Sequence, residues 1–143
     1  MISMYPACFF EEEDGQYSVV FPDLNWLSTS GADQNEAYEK AMECLAGYLY
    51  SNRREGVQTP PASDLRSIDL RAVGAELDDP DPHGFVSTVA VDVDQYAKAH
   101  FERSVKKTLT IPAWLNEAAL ERNINFSQVL QEALVSKIQA GRL

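Results

Sequence analysis

The C-terminal part of the chain contains the feature that most constrains the fold. Residues 105–111 form a β-prone run that ends at Pro112, and two short helical patterns follow at about 113–122 and 128–140. One strand and two short helices cannot bury enough apolar surface to be stable alone, and a lone strand leaves both edges unpaired. Residues 104–143 are therefore predicted to form a homodimer, in which two copies of the strand pair as an antiparallel ribbon.

The polar face of this ribbon is a candidate DNA-binding surface. Alternation along the strand places Lys106, Thr108 and Thr110 on the face opposite the apolar residues. A two-stranded ribbon with these side chains fits the major groove, although an ordinary solvated strand face is the alternative interpretation. The N-terminus of the second helix, next to Asn125 and to the expected N-cap Ser127, offers free N–H groups that can bind a phosphate.

The N-terminal part is predicted to form a small β-sheet covered by one helix. The pair Asp14-Gly15 lies between two aromatic and β-branched runs, which is typical of a β-hairpin. Apolar residues at helical spacing predict a helix over about 36–52, with Asp33 at its N-terminal cap and Gly56 at its end. The predicted strands are 5–10, 16–21, 27–31 and 85–93. The fold class is therefore α+β, with a first domain at 1–100 and a second at 104–143.

Charge divides the chain in the same way. The whole sequence has 22 acidic and 12 basic residues, which excludes a uniformly basic protein that coats nucleic acid. Residues 1–100 have a net charge of −12, whereas residues 101–143 have a net charge of +2. The two parts are therefore expected to bind different partners, and the acidic part suits a basic protein.

Several classes of protein are not expected. No apolar run approaches the length of a membrane span, and the first residues lack the basic region of a signal peptide, so a cytoplasmic protein is expected. Cys8 and Cys44 are then free thiols in apolar surroundings. His83 and His100 have no cysteine spacing nearby, and neither a phosphate-binding loop nor a nucleophile motif is present. No metal, cofactor or enzymatic activity is expected.

Both parts of the chain resemble known families. Residues 105–138 resemble the ribbon-helix-helix family of dimeric repressors, since strand, proline, helix, turn and second helix follow in that order. The N-terminal part is similar to the HicB antitoxin domain. The matching motifs are Tyr5-Pro6-Ala7, Asp14-Gly15 with Tyr17-Ser18-Val19, Phe21-Pro22-Asp23-Leu24, and Gly31-Ala32-Asp33 followed by Glu36-Ala37. Two departures are Asn25-Trp26, where Pro-Gly is usual, and Asp33, where a threonine cap is usual.

The resemblance implies an antitoxin of a type II toxin–antitoxin system. In family terms, the first domain would have a partial ribonuclease-H-like fold and would neutralise a HicA-like toxin, a small basic mRNA-cleaving ribonuclease. The second domain would dimerise, bind operator DNA and repress the shared operon, and the sequence leaves open whether dimers pair into tetramers. Tyr17, Phe21 and Trp26 are candidate toxin contacts, with a place in the core as the alternative for each.

Two other functions fit the sequence. The carboxylates of Asp14, Asp23, Glu36 and Glu43 could hold divalent ions in a metal-dependent nuclease, although each has a local structural explanation as well. A transcriptional repressor that responds to a small effector and has no toxin partner is the other alternative.

Overall fold

The computed structural model describes residues 1–141, so the last two residues of the predicted second domain lie outside the described range. The chain divides into two compact units, Met1–Ser104 and a second unit that begins at Val105. The elements of unit 1 are β1 (Ile2–Glu11), β2 (Tyr17–Phe21), β3 (Leu27–Gly31), α1 (Gln34–Glu55), a 3-10 turn (Leu65–Ser67), α2 (Leu70–Glu76), β4 (Gly84–Asp92) and α3 (Val93–His100). Those of unit 2 are α4 (Ala113–Glu121) and α5 (Phe126–Ala140).

The four strands form one antiparallel sheet in the order β3-β2-β1-β4. Strand β1 is central, and its Cys8 lies opposite Val20 of β2 and Val86 of β4. The β1–β2 turn contains Gly15 at φ 85°, a conformation that glycine adopts without strain. The predicted hairpin, the closure of the sheet by the fourth strand and the α+β class are therefore confirmed.

Helix α1 covers one face of the sheet and forms the main core with it. Alternation along β1 directs Ala7 and Phe9 toward α1, where both are fully buried. The Phe9 ring stacks between those of Tyr38 and Phe85, with centroid distances of 5.9 and 5.0 Å. The other buried residues of this core are Val19, Phe21, Leu24, Ala37, Ala41, Leu45, Ala46, Leu49, Val89, Val91 and Val93.

The opposite face of the sheet is covered by a segment that sequence analysis left unassigned. Cys8 and Phe10 of β1 pack there with Val20 and with Val73 of α2. Gly74 lets the following loop turn back closely, since a Cβ at this position would lie 2.7 Å from the carbonyl oxygen of Asp79. Both faces of the central strand are therefore covered.

Helix α1 is slightly longer than predicted and has a defined cap at each end. The Asp33 carboxylate accepts the backbone N–H of Glu36 at 2.8 Å, and the Glu36 carboxylate accepts the N–H of Ala32 at 3.0 Å. This is the predicted capping box, shifted by one residue on its return bond. Gly56 ends the helix at φ 69°, as predicted.

Unit 2 consists of two helices whose apolar residues are largely exposed. The segment before α4, residues 105–112, has no assigned secondary structure. Within residues 1–141, its backbone hydrogen bonds are those that the Pro112 carbonyl oxygen accepts from Leu115 and Asn116 of α4, both at 3.1 Å. A strand requires a partner, and the predicted partner is a second copy of the chain, so the ribbon stays a prediction.

Among the described residues, no helix is both long and apolar enough to cross a lipid bilayer.

The contact between β3 and α1 gives a stability prediction. A Cβ on Gly31 would lie 2.3 Å from the backbone nitrogen of Ala37, so Gly31→Ala must push the helix away from the sheet. We expect a loss of about 3 kcal/mol in the free energy of unfolding, measured by urea denaturation. Gly47→Ala in the middle of α1 is the matched control, because its Cβ would lie 3.9 Å from Phe101. It should stabilise the protein by up to about 1 kcal/mol, and equal effects of the two changes would contradict this packing.

Candidate functional site

One end of the sheet in unit 1 is strongly acidic. The acidic residues 11–14 form the end of β1 and the start of the β1–β2 turn, and the loop before β4 contains Asp78, Asp79 and Asp81. These two segments are adjacent because the backbone N–H of Glu11 donates to the carbonyl oxygen of His83 at 2.7 Å. Both acidic loops therefore lie at the same end of the sheet, which we call the acidic end.

The opposite end of the sheet contains two consecutive tight turns between β2 and β3. The backbone N–H of Leu24 donates to the Phe21 carbonyl at 3.2 Å, and that of Leu27 donates to the Leu24 carbonyl at 3.1 Å. The two central residues of the second turn, Asn25 and Trp26, have φ angles of 55° and 61°. Positive φ at both central positions is typical of a type I′ turn, which glycine and asparagine favour.

This second turn, which we call the Trp26 turn, is held in place from several directions. The Asn25 amide donates to the Tyr48 hydroxyl at 3.1 Å, and the Ser28 hydroxyl donates to the Trp26 carbonyl oxygen at 2.7 Å. The Asp23 carboxylate accepts both the backbone N–H and the hydroxyl of Ser63, at 2.8 and 2.6 Å. The Trp26 side chain nevertheless remains 43% exposed.

The structure separates the three candidate toxin contacts. Residues 17 and 21 lie at the two ends of β2. Because they are four residues apart, alternation directs both to the face of the sheet that α1 covers. Phe21 is fully buried, so its side chain belongs to the core and offers no surface to a partner. Tyr17 is half-buried, with its ring 6.4 Å from that of Phe85. Of the three, Trp26 alone is exposed.

Each acidic residue of the nuclease alternative forms its own hydrogen bond or ion pair with a different neighbour. Asp14 accepts the N–H of Gln16 within the hairpin turn, and Glu43 lies 3.6 Å from the Lys40 ammonium. Asp23 and Glu36 hold Ser63 and the start of α1, as described above. Within residues 1–141, no group of three His, Cys, Asp or Glu side chains could hold a metal ion. These side chains therefore have structural roles here.

Neither cysteine has the environment of a nucleophile. Both are free, and burial raises the pKa of the Cys8 thiol to about 11. Burial, together with the Glu43 carboxylate, also raises the pKa of Cys44. A raised pKa keeps each thiol protonated at neutral pH, and the thiolate is the reactive form.

An aromatic cluster fastens α3 to α1, and sequence analysis did not identify it. The Phe101 ring lies 5.3 Å from that of Tyr50 and 5.5 Å from that of Tyr96, which stacks on His100 at 4.0 Å. The signal in the sequence is weak, because these residues come from two elements far apart in the chain. Phe101 is exposed, and its ring contacts with Tyr50 and Tyr96 give it a structural role at this position.

The candidate DNA-binding residues of unit 2 are all exposed. Lys106, Thr108 and Thr110 lie in the segment without secondary structure. The Asn125 side chain accepts the backbone N–H of Gln128 at 3.1 Å, so Asn125 is the N-cap of α5. The prediction that Ser127 is the cap is wrong, because α5 begins at Phe126 and Ser127 lies in its first turn. This leaves the Ser127 N–H without an acceptor among the described residues.

Comparisons with known proteins identify solved structures that have a similar architecture. No family model matches the chain, and no curated protein matches it. Several solved structures, in contrast, match the chain. The antitoxin HicB of Burkholderia pseudomallei is 15% identical, with a TM-score of 0.50 over 97% of this chain and 98% of that one. Its N-terminal domain, solved separately, is 16% identical with a TM-score of 0.51 over 63% of this chain and 99% of that one. These two likenesses show the fold class, that of small α+β chains built like these two structures.

A more similar chain shows the family. A toxin–antitoxin complex from Streptococcus pneumoniae contains a chain that is 32% identical, with a TM-score of 0.66. The match covers 96% of this chain and 99% of that one, so it extends over both units. The chain belongs to the family of that toxin–antitoxin chain, and its fold is that of the HicB antitoxins.

The cap of α5 gives a prediction that separates Asn125 from Ser127. Asn125→Ala removes the side-chain acceptor of the Gln128 N–H, which should destabilise the first turn of α5 by about 1 kcal/mol. Hydrogen exchange of the α5 amides in the full chain should therefore become faster. Asn125→Asp keeps an acceptor and should exchange like the original protein. Faster exchange in Ser127→Ala but not in Asn125→Ala would show that Ser127 is the cap after all.

Proposed function

We propose that this protein is an antitoxin that neutralises a small, basic, HicA-like mRNA-cleaving toxin through unit 1 and represses its own operon through unit 2. The observation that carries the proposal is the similarity to a toxin–antitoxin chain over 96% of the sequence. The protein acts by binding, in the cytoplasm, and needs no cofactor for it.

The charge of unit 1 supports capture of such a toxin. A ribonuclease that binds mRNA needs a positively charged surface for the phosphates. Residues 1–100 have a net charge of −12, and the acidic end gathers part of that charge on two adjacent loops. Opposite potentials speed the encounter of the two proteins, while the same negative charge repels RNA. An acidic protein on the basic surface of the toxin also competes with the substrate there.

The exposed apolar residues of unit 2 support dimerisation. Large apolar side chains on both helices and on the segment before them are between 40 and 69% exposed. An apolar surface of this extent in a small unit is typical of an interaction site. The residues are Val105, Leu109, Ile111, Trp114, Leu115, Leu120, Ile124, Phe126, Val129, Leu134, Val135 and Ile138. In our proposal, a second copy covers them and supplies the missing partner for the strand.

The dimer would bind operator DNA through the ribbon. Lys106, Thr108 and Thr110 of each copy would face the bases in the major groove. The N-terminus of α5 would bind a backbone phosphate through its free N–H groups, with the Ser127 hydroxyl beside them and Asn125 as the cap. The register of the ribbon on DNA would follow from this phosphate contact.

Co-expression tests the capture step. Each short reading frame beside the gene is induced alone and together with this chain, and growth and copurification are scored. We expect one small basic product to stop growth, and this chain to restore growth and to copurify with that product. If no neighbouring product is toxic or bound, the protein is not the antitoxin of such a pair, and a repressor that responds to a small effector becomes the better hypothesis.

Gel shifts with the upstream DNA test the ribbon. Lys106→Ala, Thr108→Ala and Thr110→Ala should each weaken operator binding by about 1–3 kcal/mol, because each removes a contact with a base. Lys98→Ala, which removes an exposed lysine of unit 1, is the control and should bind like the original protein. Toxin capture should be unchanged in all four variants. Undiminished operator affinity in the three ribbon variants would contradict the assignment.

A further inference from the structure

The Trp26 turn holds a bulky residue in an unfavourable conformation. Both Asn25 and Trp26 have positive φ, and for a side chain as large as tryptophan this is a genuine outlier. Glycine would adopt the same backbone conformation without strain. Glycine at position 26 would therefore give a more stable turn than tryptophan does. Backbone outliers of this kind are concentrated at functional sites.

No ring stacking or side-chain hydrogen bond of Trp26 within residues 1–141 compensates for this strain. The Trp26 side chain is 43% exposed, and within the described part of the chain it makes no ring contact. Its indole N–H has no hydrogen-bond acceptor among those residues, whereas the Trp26 carbonyl oxygen is bound by Ser28. The backbone is thus fixed while the ring is left available.

The surroundings of the turn are rigid. Asn25 is bound to Tyr48 of α1, and Asp23 is bound twice to Ser63. Nearby, the Tyr5 hydroxyl donates to the Pro60 carbonyl oxygen at 2.7 Å. Burial and the Asp23 carboxylate raise the pKa of Tyr5, so its hydroxyl keeps the proton that it donates. A ring presented on a fixed turn loses little conformational entropy when a partner covers it.

We propose that Trp26 is the anchor by which unit 1 holds its basic toxin, an inference that rests on the proposed function. Tryptophan is enriched among the few residues that dominate protein interfaces, and its ring face attracts the cationic side chains that a basic partner presents. The acidic end lies at the other end of the sheet and acts at long range. The two features therefore have different tasks: the acidic end speeds association, and Trp26 slows dissociation.

Surface plasmon resonance with the purified toxin tests this division. Trp26→Gly removes the ring and relieves the strain, so its melting temperature should equal or exceed that of the original protein. Its dissociation rate from the toxin should rise by roughly tenfold or more, while its association rate changes little. Trp26→Phe is the matched control, because it keeps an aromatic ring at the same position of the same turn and leaves the Asn25–Tyr48 hydrogen bond in place. It should dissociate like the original protein.

Three results would overturn the inference. An unchanged dissociation rate for Trp26→Gly would show that the ring contributes nothing to binding. Equal acceleration in Trp26→Phe would show that an aromatic ring on the turn is not what holds the toxin. Failure of the unsubstituted chain to bind the toxin would reject the proposed function itself, and the anchor with it, and is separately recognisable because no variant is needed to observe it.

Discussion

The central strand β1 is the element on which unit 1 depends. It is hydrogen-bonded to β2 on one side and to β4 on the other, and it is covered by α1 on one face and by α2 and its preceding turn on the other. This is why the consecutive residues 7–10 are all buried, whereas a strand covered on one face alone buries every second residue. The acidic end and the Trp26 turn lie at opposite ends of the sheet that β1 organises, so both are presented by a rigid scaffold.

The two units differ in how complete they are. Unit 1 encloses an apolar core on each face of its sheet, and its surface is rich in acidic residues and includes the exposed Trp26. Unit 2 leaves most of its large apolar side chains exposed, and of the described residues in that unit only Ala119 is buried. Such a unit becomes stable by association. In our account, one part of the chain is built to bind a different protein and the other to bind a copy of itself.

Local patterns predicted the hairpin, α1 with both caps, and the fourth strand, because each depends on residues close together in the chain. Other features depend on distant contacts. Helix α2 is short, and its place beneath the sheet follows from packing with Cys8 and Phe10. The sequence identifies Trp26 as aromatic, but its positive φ belongs to a turn that is held by hydrogen bonds from Asn25 to α1 and from Asp23 to residue 63. Asn125 and Ser127 are both good caps, so the choice between them depends on the start of α5.

The most direct test of the account is a titration of toxin activity. Purified full-length protein is added in steps to the purified toxin, and cleavage of a labelled RNA is followed with no DNA present. The account predicts that cleavage falls in proportion to the added protein and stops at a fixed stoichiometric ratio, while the protein alone leaves the RNA intact. Cleavage that continues unchanged at a large excess of the protein, or RNA cleavage by the protein alone, would contradict the claim that it acts by capturing the toxin.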